Sequence, residues 1–248
     1  MPNPSSCPLL VEAHRGASST HPENTMAAFR AAIAAGAGWI ELDIHECADG
    51  ELVVMHDASV DRTTDGTGKI ADLSLAELRA LDAGAWFSAE FAGEGVPTLA
   101  EVLALVHTHG VRLNVEVKHF ARPAATQRLA GLLREYAPAD GSGHVVSSFE
   151  LAALLQVREQ DAGVPLAFLG SKPGAVATAL DHGFPWVHLH HGAVSLDTVI
   201  AAHAAGVRVM TWTMDAPSWL AHYGRLGVDK VCTNRPADML AAQAGLLA

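Results

Sequence analysis

Residues 39–47, Trp39-Ile40-Glu41-Leu42-Asp43-Ile44-His45-Glu46-Cys47, read as a buried parallel strand with acids set into it. Side chains on a strand alternate with period two, so Ile40, Leu42 and Ile44 share one face and Glu41, Asp43 and His45 the other. Two carboxylates on one face of an otherwise apolar strand repel each other and are costly to bury. Either they lie at a solvated strand end, or a divalent cation sits between them. The rest of the chain favours the cation. Other apolar runs also stop at charged or titratable groups, in VEAHRG (11–16), VVMHD (53–57) and LNVEVK (113–118).

Working outward, Leu9–Ala13 is a short apolar strand that stops at His14-Arg15-Gly16. Pro22-Glu23-Asn24-Thr25 opens an Ala-rich helix that runs to about Gly36. After the acid-bearing strand, Asp49-Gly50 signals a tight turn, and Glu51–Met55 is a second apolar run ending at His56-Asp57. Residues 58–96 break the rhythm and read as an insertion between a strand and its helix. They contain a short helix with a capping box of Ser74 and Glu77. Thr98 and Glu101 cap the delayed helix, which stops at Gly110.

From there strands and helices alternate. The strands are 113–118, 144–149, 165–170, 186–191, 207–214 and 230–234. The helices are 122–137, 149–160, 174–182, 195–205, 216–226 and 236–247. With the first two strands this gives about eight strand–helix units, the pattern of an α/β TIM (β/α)8 barrel with a small insertion after strand two. A doubly wound open sheet is the other fold of this rhythm, but no strand is followed by a Gly-x-Gly-x-x-Gly turn. No linker divides the 248 residues into two domains.

Half of the residues are hydrophobic, enough for a sizeable core. The formal net charge of −11 argues against nucleic acid and anionic membrane surfaces as partners. Cys7, Cys47 and Cys232 form neither a disulfide framework nor a metal-ligand spacing, which points to a reducing compartment, the cytoplasm. The N-terminus lacks the basic and apolar regions of a signal peptide, Cys7 lacks the apolar stretch of a lipid anchor, and no membrane span is expected. The oligomeric state is left open, a homo-oligomer included.

In such barrels chemistry sits at the C-terminal ends of the strands. Glu41, Asp43 and Glu116, from two adjacent strands, can wrap a hard cation, Mg²⁺ or Ca²⁺, with oxygen ligands. Zinc fits less well, because acids outnumber imidazoles in the cluster. Arg15 and Lys118 suit phosphate oxygens. His14 and His56 titrate near neutrality and suit proton transfer to leaving and attacking oxygens. Together they describe metal-assisted cleavage of a phosphate ester. A barrel lyase forming a cyclic phosphate and a non-catalytic phosphodiester-binding module use the same groups. The pair of histidines counts against the binder.

The same residues carry a resemblance. HRG (14–16), PENT (22–25), ELD (41–43), HD (56–57), RTTDGTG (62–68), EVK (116–118) and TNRP (233–236) resemble the motif series of the glycerophosphodiester phosphodiesterase family, in order and spacing, along nearly the whole chain. Residues 82–99 resemble its bacterial cytoplasmic branch. The resemblance implies a TIM barrel and hydrolysis of a small-molecule glycerophosphodiester to sn-glycerol 3-phosphate and an alcohol, with one divalent cation, Mg²⁺ or Ca²⁺. It implies His14 and His56 as the general acid/base pair, Glu41, Asp43 and Glu116 as metal ligands, Arg15 and Lys118 as phosphate contacts, and Trp212 as an aromatic near the glycerol end.

Several residues carry two readings. His190, with His188 on the same strand face, reaches for the substrate or fills the barrel. Asp215, where the family often has Asn, is expected to N-cap a helix before Pro217. Asn234 before Arg235-Pro236 reads first as an N-cap. Asn24 shapes the turn into the first helix. His45 is a spectator or an outer partner of the acids. Trp86 and Phe87 roof the pocket or attach the insertion to the barrel.

Overall fold

A computed structural model describes residues 9–120, 122–138, 140–172 and 174–247. The expectations placed on the N-terminus and on Cys7 lie outside these residues. The strands are β1 (Leu10–His14), β2 (Trp39–Glu46), β3 (Leu52–Val54), β4 (Arg112–His119), β5 (Val145–Ser148), β6 (Leu166–Gly170), β7 (Trp186–His190), β8 (Arg208–Trp212) and β9 (Lys230–Thr233). Every strand but β3 pairs in parallel with two neighbours, in the order β1-β9-β8-β7-β6-β5-β4-β2, and β1 pairs back onto β2 to close the barrel. The open sheet is excluded.

β3, the run that leads to His56, lies outside the barrel. It pairs antiparallel with the end of β2, Ile44 opposite Val54. The short turn at Asp49-Gly50 permits only this hairpin, since a parallel return needs a crossover of a dozen or more residues. The expected insertion follows it. It has its own small core of Val53, Met55, Val60, Ile70 and Leu78, beneath the helix α2 (Leu75–Arg79), whose capping box of Ser74 and Glu77 forms as expected.

The helices α1 (Met26–Ala34), α3 (Leu99–His109), α4 (Pro123–Glu135), α5 (Leu151–Gln160), α6 (Gly174–Asp181), α7 (Leu196–Ala204), α8 (Leu220–Leu226) and α9 (Pro236–Leu247) complete the alternation. Thr25 caps α1, and Thr98 with Glu101 forms a capping box on α3, which ends in a left-handed Gly110. The outward faces of the strands, among them Ile40, Leu42, Ile44, Val115 and Val187, pack against these helices in one core.

The inward faces alternate with them and are more polar. Trp39, Val145, Ala167, Trp186, Met210 and Cys232 form an apolar layer inside the barrel. Among them lie the fully buried pair Glu12 and Lys230, with the ammonium 4.0 Å from the Trp39 ring centre and 4.9 Å from that of Trp186. The same parity places Glu41, Asp43, Asn114, Glu116 and Lys118 on the inward face nearer the C-terminal mouth.

Candidate active site

Two strand registers assemble the acids. Asp43 on β2 stands directly beside Glu116 on β4, and Glu41 two residues earlier stands beside Asn114. One carboxylate oxygen from each of Glu41, Asp43 and Glu116 lies within 4.8 Å of the other two, and all three residues are buried. Burial, then the neighbouring charges of Asp43 and Glu116, push the Glu41 carboxyl well above the usual range. Burial, then Asp43, pushes Glu116 up to about 7. Asp43 goes the other way: burial opposes its charge, but Arg15, Lys118 and His56 hold it down at about 2.

Those cations are close. Lys118 Nζ is 2.8 Å from Asp43 Oδ1 and also pairs with Glu116. Arg15 Nε is 3.2 Å from Asp43 Oδ2, and its Nη1 donates to Glu23 Oε1 at 2.8 Å. Arg15 and Asn24 are both in the left-handed region, with φ of 55° and 58°. Non-glycine residues sit there at a cost and only where surrounding contacts hold them. Here both hold Asp43, since Asn24 Nδ2 donates to Asp43 Oδ2 at 2.8 Å. Asn24 therefore does more than shape a turn.

Each of the two histidines is fixed through Nδ1. His14 Nδ1 lies 2.6 Å from Asn234 Oδ1. That oxygen can only accept, so the His14 proton is on Nδ1 and Nε2 is left free, 3.9 Å from Glu41 Oε2. Burial, then the charge of Arg15, lowers the His14 pKa. Asn234 is held in turn by Asp215, whose carboxylate accepts from the Asn234 backbone N at 2.8 Å and from Nδ2 at 2.7 Å. This corrects the expectation for both residues. Neither caps a helix with its side chain: Ala216 precedes the 3-10 turn at Pro217–Trp219, and the carboxylate of Asp215 is committed to the barrel end.

His56 Nδ1 donates to Asp57 Oδ1 at 2.6 Å. Arg62 from the insertion grips Asp57 at 2.6 and 3.2 Å and bonds Glu23 at 3.0 and 2.9 Å. An ion-paired chain thus runs from His56 through Asp57, Arg62 and Glu23 to Arg15. His45 Nε2 donates to the His56 carbonyl at 3.0 Å, so it supports the backbone of that histidine.

A cavity of about 240 Å³ opens above these groups and is lined by His14, Arg15, Glu41, His56, Asn114, Glu116 and Lys118 on one side. The other side is apolar, with Phe149, Leu169, Met210 and Trp212. Phe149, half exposed after β5, meets Trp212 edge-on at 5.7 Å. His190 packs against Trp212, with ring centres 5.1 Å apart, and does not itself line the cavity; His188 is buried inside the barrel. Trp86 and Phe87 meet edge-to-face within the insertion and do not line the cavity.

All-oxygen donors at this spacing fit a hard divalent cation. Glu41 Oε1 is buried and accepts no hydrogen bond, and a cation there would satisfy it. The residues that local spacing left unassigned, Asn114, Phe149, Asp57, Glu23 and Arg62, reach the site from four separate segments.

A parallel barrel that gathers its titratable groups at the C-terminal mouth belongs to the barrel enzymes, and this mouth is furnished for a phosphate ester. Residues 14–238 match the glycerophosphoryl diester phosphodiesterase family, and the chain belongs to that family and is an enzyme of that activity. A glycerophosphodiester phosphodiesterase of Caldanaerobacter subterraneus is 34% identical over 237 residues, covering 93% of this chain and 96% of the relative. A Bacillus subtilis relative, named a probable member of the same kind, is 32% identical and covers 92% of this chain and 95% of its own. Among solved structures, an Oleispira antarctica phosphodiesterase in complex with the product sn-glycerol-3-phosphate superposes with a TM-score of 0.89 at 31% identity, over 95% of this chain and 96% of that one.

Proposed function

We propose that the chain hydrolyses glycerophosphodiesters to sn-glycerol 3-phosphate and an alcohol, with His14 and His56 as the acid/base pair and one Mg²⁺ or Ca²⁺ held by Glu41, Asp43 and Glu116. The observation that carries the proposal is the matched fixing of the two imidazoles. Each has Nδ1 bound to an acceptor, which leaves both Nε2 atoms free beside a cavity that also holds the carboxylates. One can take a proton from the attacking oxygen while the other gives one to the leaving oxygen. A bound cation would polarise a phosphoryl oxygen and let all three carboxylates stay ionised. Arg15 and Lys118 line the same cavity and set two positive charges against the charge that builds on phosphorus.

Trp212 Nε1 is buried without an acceptor, a free donor for the substrate. With Phe149 it forms the wall against which the carbon portion of the substrate packs, and His190 backs the Trp212 ring. Among the described residues no helix is long and apolar enough to cross a membrane, and Cys47 and Cys232 are free and buried. The free buried thiols fit the reducing cytoplasm, where we place the enzyme. The reaction is tested by ³¹P spectroscopy of the products from glycerophosphocholine. Hydrolysis gives the open monoester from the first turnovers. Accumulation of a cyclic phosphodiester instead would replace hydrolysis by internal transfer.

A further inference from the structure

Asn114 lies beneath the acids. It stands in register beside Glu41 and two residues before Glu116 on the same face of β4, and it lines the cavity with both. Its side chain is 1% exposed. The amide nitrogen donates to Glu12 Oε1 at 3.2 Å and lies 3.5 Å from His188 Nδ1. Glu12 is itself immobilised by Lys230, whose ammonium is packed on the rings of Trp39 and Trp186.

These contacts decide which way the amide points. A carboxylate accepts only, so the nitrogen must face Glu12, and the flipped amide would set oxygen against oxygen. Asn114 Oδ1 therefore faces away from Glu12, and no donor reaches it. Glu41 Oε1, on the neighbouring strand, also has no donor. These two buried acceptors on neighbouring strands, neither reached by a donor from another residue, are suited to share a cation.

Resting on the proposed cation site, we propose that Asn114 Oδ1 is a fourth protein oxygen of that site, turned into place by the buried Glu12–Lys230 pair. The chemistry suits the role. Hard divalent cations take six or more oxygens, and side-chain amide oxygens are among those that Ca²⁺ accepts. Three carboxylates already bring three negative charges, so a neutral fourth donor adds a ligand without adding repulsion. The order of the elements also suits it: the ion pair deep in the barrel fixes the amide, and the amide completes the floor of the site.

The test is the affinity of the metal-stripped chain for Mn²⁺, read by electron paramagnetic resonance without substrate. The wild-type chain binds one ion, and Asn114→Ala binds it at least about tenfold more weakly, with the metal-free far-ultraviolet spectrum unchanged. Glu12→Gln supplies a second arm, and it carries the test alone if Asn114→Ala does not fold. The new amide can donate to Asn114, which lets its oxygen turn away from the site, so Mn²⁺ affinity falls although no carboxylate ligand has changed. Wild-type affinity in a folded variant, with only KM raised, makes Asn114 a substrate contact and overturns the inference. Failure of the wild-type chain itself to bind Mn²⁺ would instead remove the cation site beneath it.

Discussion

His14 and His56 differ in what holds them. A neutral amide, Asn234, orients the first, and a carboxylate, Asp57, orients the second. Loss of either imidazole should lower kcat by roughly 10²–10⁴-fold with the fold intact, measured on His14→Ala and His56→Ala; turnover near that of the wild-type chain removes that histidine from the mechanism. The clamp behind His14 makes a finer prediction. Asp215→Ala frees Asn234 to rotate and His14 to change tautomer, so kcat should drop roughly 10- to 100-fold with little change in KM. An unchanged kcat would make the clamp merely structural. Local sequence hid this clamp. Asp215 and Asn234 each shortly precede a proline, where a capping residue is the economical reading, and the contact that overrides it joins residues 220 positions apart. The acids and histidines were legible because each interrupts an apolar strand, and burial makes such an interruption costly enough to need a reason.

At the scale of the element, the turn from β1 into α1 holds most of the strain. Gly16 has φ of +82°, and a Cβ there would lie 2.6 Å from the backbone carbon of Ala28. Gly16→Ala should therefore cost roughly 2–4 kcal/mol, because the left-handed conformation and the close approach of the helix are both penalised. Urea unfolding measures it, and a loss below about 0.5 kcal/mol would show that the turn can relax. The same turn carries Arg15 and Asn24 to Asp43, so kcat should fall along with stability. Strand periodicity and capping signals revealed the elements themselves: the boxes at Ser74 and Thr98 formed where they were read. The pairing of β3 is set by hairpin geometry, and the reach of Arg62 from the insertion to Asp57 and Glu23 has no periodic signature at all.

At the scale of the whole molecule, closure of the barrel is what turns scattered strand ends into one site; the strand–helix rhythm is shared with an open sheet, and the lack of a Gly-x-Gly-x-x-Gly turn after any strand tips it to the barrel. The rhythm does not give the content of the interior. Glu12 and Lys230 end up fully buried together because β1 and β9 are neighbours only after the sheet closes. The electrostatics of the mouth give a pH prediction. Glu116 has its pKa pushed up to about 7 by burial and Asp43, and Glu41 is raised well above the usual range. Glu116 then holds a proton in the metal-free chain below that pH, the raised Glu41 carboxyl also favours its protonated form, and protons compete with the cation. Cation affinity should rise between about pH 6 and about pH 8, with protons released on binding. Calorimetry in buffers of different ionisation enthalpy measures the release, and affinity independent of pH would contradict it.

The most direct measurement is release of sn-glycerol 3-phosphate from glycerophosphocholine by the intact chain, before and after exhaustive chelation. With a catalytic cation held by Glu41, Asp43 and Glu116, chelation abolishes release and Mg²⁺ or Ca²⁺ restores it. Full release from protein shown by elemental analysis to be free of metal would contradict that role for the cation.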